Sequence, residues 1–224
     1  MSEGRSASLD PRSLVLWPAV ITLAVTLVRL AGELLRWSER FFSRSAGGAA
    51  ALVGIVWLVP IFGVYFAIRL LRAGHAPQTT WWPGVGGLIG LVAIPLVALL
   101  WNRLGLSPVA QVLAFCFTLP FVAWAVGRAW PALARTLLLY GLAARIPVIV
   151  VMLLAILRGW GTHYELGRPD LPPLEPPLLK WLVIGVVPQL GFWVSFTVIA
   201  GSLFGGLAAA VWRRRARGAT GAAA

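Results

Sequence analysis

The sequence predicts an all-α fold, a polytopic integral membrane helix bundle with about six transmembrane helices, several of them kinked by proline. Three observations predict it. Of the 224 residues, 59% are hydrophobic and 12% are charged, and the mean hydropathy is +0.86, values outside the range of soluble domains. Six apolar stretches approach the length of about 20 residues that a helix needs to cross a hydrocarbon core. Each stretch has a proline inside it or at its entry, namely Pro18, Pro60, Pro95, Pro120, Pro147 and Pro188.

The apolar stretches predict six spans, at residues 14–37, 49–68, 85–101, 109–126, 132–157 and 181–212. They should be helices, because lipid offers unpaired backbone groups no partner and because the sequence lacks the alternation of a β-barrel. Pairs drawn from the twelve tryptophans bracket four of the spans, at the depth where indole rings prefer to lie. In the last two spans these pairs are too far apart for a straight, upright crossing. We therefore expect those helices to tilt, kink or extend beyond the membrane.

Three connections between the spans have recognisable patterns. Residues 36–45 mix aromatic and charged side chains, so we expect a short interfacial helix that continues the first span. Ser107 as N-cap and Pro108 in the first turn predict a tight antiparallel hairpin between the third and fourth spans. Residues 159–180 contain five prolines and charges of both signs. This composition predicts an extended, solvated outer loop without a core of its own.

The basic residues predict that both termini are cytoplasmic. An even number of spans places the termini on one side, and that side carries ten arginines against seven basic residues on the other. Residues 1–13 are then a polar cytoplasmic N-terminus, residues 14–212 the transmembrane domain and residues 213–224 a basic cytoplasmic tail. The first span lacks a small-x-small cleavage site and should be retained. The composition is typical of bacterial genomes of high GC content, so we expect the plasma or inner membrane.

Arg145 is the first candidate for an intramembrane polar site. It lies near the middle of the fifth span, where an arginine costs at least about 2.5–3.5 kcal/mol on insertion scales. Candidate partners are the carbonyl freed by Pro147, the phenol of Tyr140, the amide of Gln189 in the sixth span, or an anion from a lipid or substrate. Alternatively the fifth span is split, and Arg145 reaches the headgroups from an interfacial segment.

Arg29 and Glu33 form a second candidate site. They are four residues apart in the first span, so they share one helical face and can neutralise each other as an intrahelical ion pair. Glu33 is the only acidic residue inside any predicted span. An intramembrane carboxylate is also a candidate for proton coupling or ion binding, which is the alternative to a self-satisfied pair.

A stripe of small residues predicts close helix packing in the sixth span. Small side chains let helices approach closely, and their hydroxyls can bond across the contact. The stripe consists of Gly191, Ser195, Ser202, Gly205 and Ala209. In the third span, Gly86 and Gly90 form a G-x-x-x-G pair. The alternatives are packing within the chain, homo-oligomerisation and docking to another membrane protein.

The basic end of the chain indicates a lipid contact. Arg213, Arg214, Arg215 and Arg217 follow Trp212 directly or closely. Anionic headgroups attract such clusters with about 1 kcal/mol per basic residue. Nucleic acid is not an expected partner, because four charges without interleaved aromatic residues make a poor recognition surface.

No catalytic, cofactor or metal site is predicted. A single cysteine, Cys116, excludes an internal disulfide and a cysteine-based metal cluster. His75 and His163 lie in connections on opposite sides of the predicted membrane, so they cannot share a metal ion. His163, Glu165 and Asp170 are expected to decorate the solvated outer loop rather than to bind a cation.

Two functions are compatible with these patterns, and neither is enzymatic. The first is a helix-packing subunit or scaffold of a larger membrane complex, indicated by the small-residue stripe and the scarcity of intramembrane polar groups. The alternative is a small transporter or permease with a midplane site around Arg145 and Gln189 for an anionic or amphipathic solute.

Overall fold

The computed structural model describes residues 11–46 and 51–221, with side chains for residues 12–46 and 51–215. Within these ranges the chain is all-helical, without a strand, as predicted. Six helices are long and apolar enough to cross a membrane: Arg12–Leu34, Ile55–Arg72, Trp82–Arg103, Pro108–Gly127, Pro131–Arg158 and Pro177–Arg215. Most of the predicted N-terminal segment, residues 1–10, lies outside the described residues.

The helices follow the order of the predicted spans. They are α1 (Pro11–Leu34), α2 (Leu58–Arg72) after a 3₁₀ turn (Ile55–Trp57), α3 (Trp82–Arg103), α4 (Pro108–Gly127) and α5 (Pro131–Arg158). After a 3₁₀ turn at His163–Glu165 come α6 (Pro177–Lys180), two π-helical segments (Trp181–Val186 and Pro188–Trp193) and α7 (Val194–Gly221). The elements from α6 to α7 form one uninterrupted helix.

The structure contradicts the interfacial helix predicted for residues 36–45. The helix α1 ends at Leu34, and residues 35–46 form turns. Trp37 N–H donates to Gly32 O at 2.9 Å and Arg36 N–H donates to Glu33 O at 3.3 Å, which is the pattern of a Schellman cap. Arg36 occupies the left-handed position of the cap, with φ of 53°. The chain thus turns back, and the Phe42 ring packs directly on Gly32.

The hairpin between α3 and α4 has the predicted form. The Ser107 hydroxyl accepts a hydrogen bond from Ala110 N–H, and Pro108 occupies the first turn of α4. Gly105 supplies a left-handed turn with φ of 66°. The Trp101 indole of α3 donates to the Thr118 hydroxyl of α4 at 3.2 Å, so the two helices are antiparallel neighbours.

The helix α7 lies at the centre of the bundle. It packs against α2, α3, α4 and α5. The main buried cluster includes Phe66 of α2, Leu133 and Tyr140 of α5 and Ile199 of α7. The first helix, α1, packs mainly on α5. There the Thr22 hydroxyl and the Tyr140 phenol are 2.8 Å apart in a buried hydrogen bond.

The structure corrects one alternative for the fifth span and one detail of the outer loop. The alternative of a split fifth span is wrong, because α5 is continuous over 28 residues. Most of residues 159–180 are exposed, as a solvated loop would be, but Thr162 and Tyr164 are buried, and Tyr164 belongs to a second core cluster with α5 and the first π-helical segment. A capping box between Thr162 and Glu165 orders this connection locally.

Candidate functional site

A cavity of about 570 Å³ lies among α1, α4, α5 and the two π-helical segments. The connection between α5 and α6 and the segment before α2 contribute the rest of its wall. Arg168, whose side chain is 50% exposed, also lines the cavity, which therefore reaches the surface of the protein. This volume is in the range of about 300–1,000 Å³ that small-molecule sites occupy.

The walls of the cavity combine apolar side chains with a few polar ones. The apolar side chains come mainly from α4, α5 and the second π-helical segment, and include Val112, Phe115, Val148, Met152, Phe192 and Trp193. The polar side chains include Thr26, Arg29, Arg145, His163, Tyr164, Arg168 and Gln189. A largely apolar site with a few convergent polar groups is the usual composition of a ligand pocket.

Arg145 lies in the wall of this cavity and is only 4% exposed. Its Nη1 donates to Gln189 Oε1 at 3.4 Å, so the structure brings together two residues of the predicted polar site. Its guanidinium carbon lies 4.6 Å from the centre of the Trp193 ring, a cation–π geometry. The side chain is therefore held inside the bundle and does not extend towards headgroups.

The charge of Arg145 is not compensated by a carboxylate of the described part of the chain. Among the described residues no carboxylate forms an ion pair with it, and its Nε atom is buried without a hydrogen-bond partner. Tyr140, a predicted partner, bonds to Thr22 instead. A buried charge that keeps neither a counter-ion nor a full set of hydrogen bonds is costly, so Gln189 and Trp193 compensate the charge of Arg145 only in part.

Gln189 is positioned by the π-helical segment that follows Pro188. Its Oε1 accepts from Arg145, and its Nε2 contacts the Met152 sulfur at 3.7 Å. Both contacts fix the amide orientation, with the oxygen towards the guanidinium. Short π-helical segments inside α-helices occur frequently at functional sites. Pro147, the other predicted member, lies within α5, two residues after Arg145.

The predicted ion pair between Arg29 and Glu33 is present, with 3.0 Å between Nε and Oε1. A third residue joins it, because His163 donates its backbone N–H to Glu33 Oε2 at 2.9 Å and its Nδ1 lies 2.5 Å from Glu33 Oε1. Arg29 also donates to Ser43 O. Glu33 is fully buried under these contacts. The carboxylate therefore joins α1 to the connection that covers the cavity.

His163 is a partly buried residue of the cavity wall and not the solvated one predicted for its loop. Its side chain is 14% exposed. Burial lowers the pKa of the imidazole, the hydrogen bond that the ring donates to Glu33 opposes this, and the charge of Arg29 lowers the pKa further. The ring is therefore neutral at pH 7, with the Nδ1 proton directed to the carboxylate and Nε2 left as an acceptor. Glu165 and Asp170 do not form a cation site with His163, because Glu165 accepts from the backbone N–H of Thr162 and Asp170 pairs with Arg168.

The small-residue stripe of the sixth span packs against other helices of the same chain. A Cβ added to Gly191 would lie 2.7 Å from Cys116 Cβ, and one added to Gly205 would lie 2.8 Å from a Leu133 methyl carbon. Ser195, Ser202 and Ala209 are buried. The Ser195 hydroxyl donates to Gly191 O in its own helix and not across the contact.

The pair predicted in the third span needs a correction. A Cβ added to Gly90 would lie 2.7 Å from an Ile199 methyl carbon, so Gly90 is in close contact with α7. At Gly86 the nearest atom would be a Val126 methyl carbon at 3.9 Å. The close approach is instead made by Gly87, next to Leu203 of α7.

The basic end is partly engaged with the protein. Arg213 donates to the Thr80 hydroxyl at 2.9 Å and to Pro77 O at 3.2 Å, and these contacts hold it against the connection between α2 and α3. Arg214 and Arg215 are exposed, as a contact with headgroups requires. The side chain of Arg217 lies outside the described residues.

Sequence reasoning missed the contact between Glu33 and His163, which are 130 positions apart. Residues so distant meet only through tertiary packing, and a single sequence gives no direct signal for it. The T-x-x-E pattern from Thr162 to Glu165 is a local sign that the connection is ordered. In the described residues no group of three or more His, Cys, Asp or Glu side chains could hold a metal ion. The chain matches no protein-family model, and neither curated proteins nor solved structures gave a match.

Proposed function

We propose that this chain is an integral membrane protein that binds an organic anion with an apolar body in the Arg145 cavity and carries it across the membrane. The observation that carries this proposal is the buried guanidinium of Arg145, which has no carboxylate partner among the described residues and lies in a cavity wall. An intramembrane ionisable residue marks a functional site by default. The proposal includes six spans with proline kinks and both termini in the cytoplasm of a bacterial cell.

Charge balance supports an anion with a single negative charge. Arg29 is matched by Glu33, and Arg168 is matched by Asp170. Arg145 is then the unmatched cation of the cavity. A monoanion beside Arg145 would neutralise the site, whereas a cation would add repulsion to a buried charge.

The apolar walls support an amphiphile. Phe115 and Phe192 stack with their ring centres 5.6 Å apart, and both rings line the cavity. Valine and methionine side chains extend this surface towards Gln189. Such walls favour an alkyl or aryl body, while Arg145 and Gln189 would hold a carboxylate, sulfate or phosphodiester head.

Prolines and π-helical turns near the site support movement of the bound solute. Pro147 lies two residues after Arg145 and Pro188 directly precedes Gln189, on facing helices, and π-helical turns surround Gln189. Proline and π-helical turns leave carbonyls without their usual partners, and such points serve as hinges in many transporters.

The scaffold hypothesis has lost one of its supports and stays a prediction. Its argument used the small-residue stripe as a partner surface, yet Gly191 contacts α4 and Gly205 contacts α5 and α2 of the same chain. The mass of the complex isolated gently from its native membrane tests it. A stoichiometric second protein supports a scaffold, whereas a particle of this chain alone supports the transporter.

The direct test of the transporter is Arg145→Leu, measured as binding of decyl sulfate to the protein in phosphatidylcholine nanodiscs and as flux of the labelled anion from liposomes. We expect binding about tenfold to hundredfold weaker, because a hydrogen bond to a charged group contributes about 1.5–3 kcal/mol. Leucine removes a buried charge without a counter-ion, so the melting temperature should not fall. Arg135→Leu is the matched control, since Arg135 is an exposed arginine of the same helix.

The outcomes separate the sources of the anion. Loss of binding and flux in Arg145→Leu but not in Arg135→Leu supports the site, and equal activity in both variants overturns it. Decyltrimethylammonium, a cation with the same chain length, should not bind. If phosphatidylglycerol nanodiscs abolish decyl sulfate binding by competition, the natural anion is a lipid headgroup; if they do not, it is a free amphiphile.

A further inference from the structure

The arrangement of Glu33 and His163 has the form of a proton-accepting pair. The carboxylate holds the imidazole through both Nδ1 and the backbone N–H of His163. With the Nδ1 proton directed to Glu33, the Nε2 lone pair is the remaining position for a proton. An imidazole oriented by a buried carboxylate accepts a proton readily, because the carboxylate stabilises the imidazolium that forms.

Charged and titratable side chains reach His163 from several elements. From α1 these are Glu33 and Arg29, and from the connection itself Tyr164, whose ring centre is 4.0 Å from the imidazole, and Glu165. Arg145 of α5 lies in another wall of the cavity that His163 lines. At exposed positions farther out, ion pairs join Glu39 to Arg44 and Arg168 to Asp170.

An anion in this cavity would change the balance around His163. Without an anion in the cavity, the charge of Arg29 disfavours a further positive charge on the imidazole, and Glu33 favours it. An anion bound beside Arg145 adds a negative charge to the cavity that His163 also lines, where charges are weakly screened. The imidazole then gains a proton more easily than in the empty protein.

We propose that His163 takes up a proton when the anion binds, so that the chain binds an organic anion and a proton together. This inference rests on the proposed function, because it needs an anion in the Arg145 cavity. Without a bound anion, burial holds the pKa of the His163 imidazole below its ordinary value. The imidazole is therefore neutral at pH 7 before the anion binds, and the proton that it takes up comes from solvent and binds at Nε2. No bond to the anion is made or broken.

The test measures proton uptake by calorimetry. Decyl sulfate is titrated into the full chain in phosphatidylcholine nanodiscs, in buffers with different ionisation enthalpies, between pH 5.5 and 8.5. The sulfate ester stays ionised throughout this range, so any proton taken up is bound by the protein. We expect uptake of up to one proton per anion, and a Kd that rises by about tenfold per pH unit where uptake is complete.

His163→Gln is the decisive variant, with His75→Gln as its control. Glutamine can still donate to Glu33 but binds no proton, so proton uptake and the pH dependence of Kd should both disappear. His75 is exposed and lines no part of this cavity, so its replacement should change neither. Wild-type calorimetry tests the proposal even where the His163 variant fails to fold.

Each result has a distinct meaning. Anion binding without proton uptake overturns the coupling and leaves the proposed function standing. Uptake that persists in a folded His163→Gln protein also overturns it, because another group then binds the proton. Absence of anion binding at every pH overturns the proposed function itself and this inference with it.

Discussion

Arg36 ends α1 in a conformation that its side chain disfavours. It holds the left-handed position of a Schellman cap, with φ of 53°, and it is exposed. Glycine is the usual residue at this position because it has no Cβ to clash with the backbone. The cap survives because the turn that follows places Phe42 on Gly32. Tertiary packing therefore offsets local strain at this residue.

Arg36→Gly should raise the stability of the protein. The left-handed conformation costs a residue other than glycine about 1–2 kcal/mol, and glycine would remove this cost. Glycine also raises the conformational entropy of the unfolded chain, which offsets part of the gain. We expect a gain of about 1 kcal/mol or less. Thermal unfolding in detergent measures it.

The control for this change is Leu35→Gly. Leu35 precedes the left-handed position, so glycine there adds flexibility to the unfolded chain without relieving strain. The two variants should shift the melting temperature in opposite directions. A lower melting temperature for Arg36→Gly would contradict the account of the cap.

Single residues of the candidate site differed in how far the sequence could predict them. Arg145 was predictable as a site residue, since a charge inside an apolar run is visible in the sequence alone. Its contact with Gln189 was one of several alternatives, because sequence depth does not fix helix rotation. His163 was not predictable, because burial of a loop residue depends on how the connection folds over α1 and α5.

At the scale of elements, the contact between α3 and α7 depends on glycine. A Cβ added to Gly87 would lie 2.7 Å from Leu203 Cα, and one added to Gly206 would lie 2.6 Å from Gly84 Cα. Distances below 3.0 Å require the backbones to separate. Because membrane helices associate through packing and not through a hydrophobic driving force, such close approach is a main source of their affinity.

Gly87→Ala should therefore destabilise the bundle, and Gly86→Ala should not. Overpacking of a filled contact costs about 1–3 kcal/mol, which exceeds the gain of about 0.5–1 kcal/mol in helix propensity from alanine. A Cβ on Gly86 would make only an ordinary van der Waals contact, with a Val126 methyl carbon at 3.9 Å, so the same substitution one residue earlier should be neutral or slightly stabilising.

Unfolding midpoints in sodium dodecyl sulfate compare the two glycine variants under identical conditions. The informative quantity is the difference between them, since helix propensity is the same for both. Equal midpoints would contradict this packing, because α3 and α7 could then separate without loss of stability.

The helices themselves were largely predictable, and their connections were not. Hydropathy over about 20 residues fixes where a long apolar helix lies, because every residue in it contributes. The end of α1 depended instead on the Schellman cap at Arg36, which local composition did not indicate. The structure of residues 159–176 depends on the burial of Tyr164 and Thr162, whereas the prolines and charges of this connection predicted exposure.

At the scale of the whole molecule, the proposed topology places the α2–α3 and α4–α5 connections inside the cell and the α3–α4 and α5–α6 connections outside. The structure offers a favourable background for labelling, because the only cysteine of the chain, Cys116, is 3% exposed. A membrane-impermeant maleimide should therefore not label the unmodified protein.

Gln78→Cys and Pro173→Cys test this topology at two exposed positions. In right-side-out vesicles we expect labelling of Pro173→Cys alone, and in inverted vesicles of Gln78→Cys alone. Mass spectrometry of the intact protein gives the labelled fraction. Labelling of both positions from the same side would show that one of the helices between them does not cross.

The central place of α7 has a consequence for biosynthesis. This helix leaves the ribosome after the four helices that it contacts, and at about 5–20 residues per second the delay after α2 is on the order of ten seconds. In the proposed membrane topology, the surfaces of α2 and α3 that later pack on α7 are exposed to lipid during that interval. Assembly of the bundle is thus a late step, and an insertion chaperone that shields α2 and α3 would act on this intermediate.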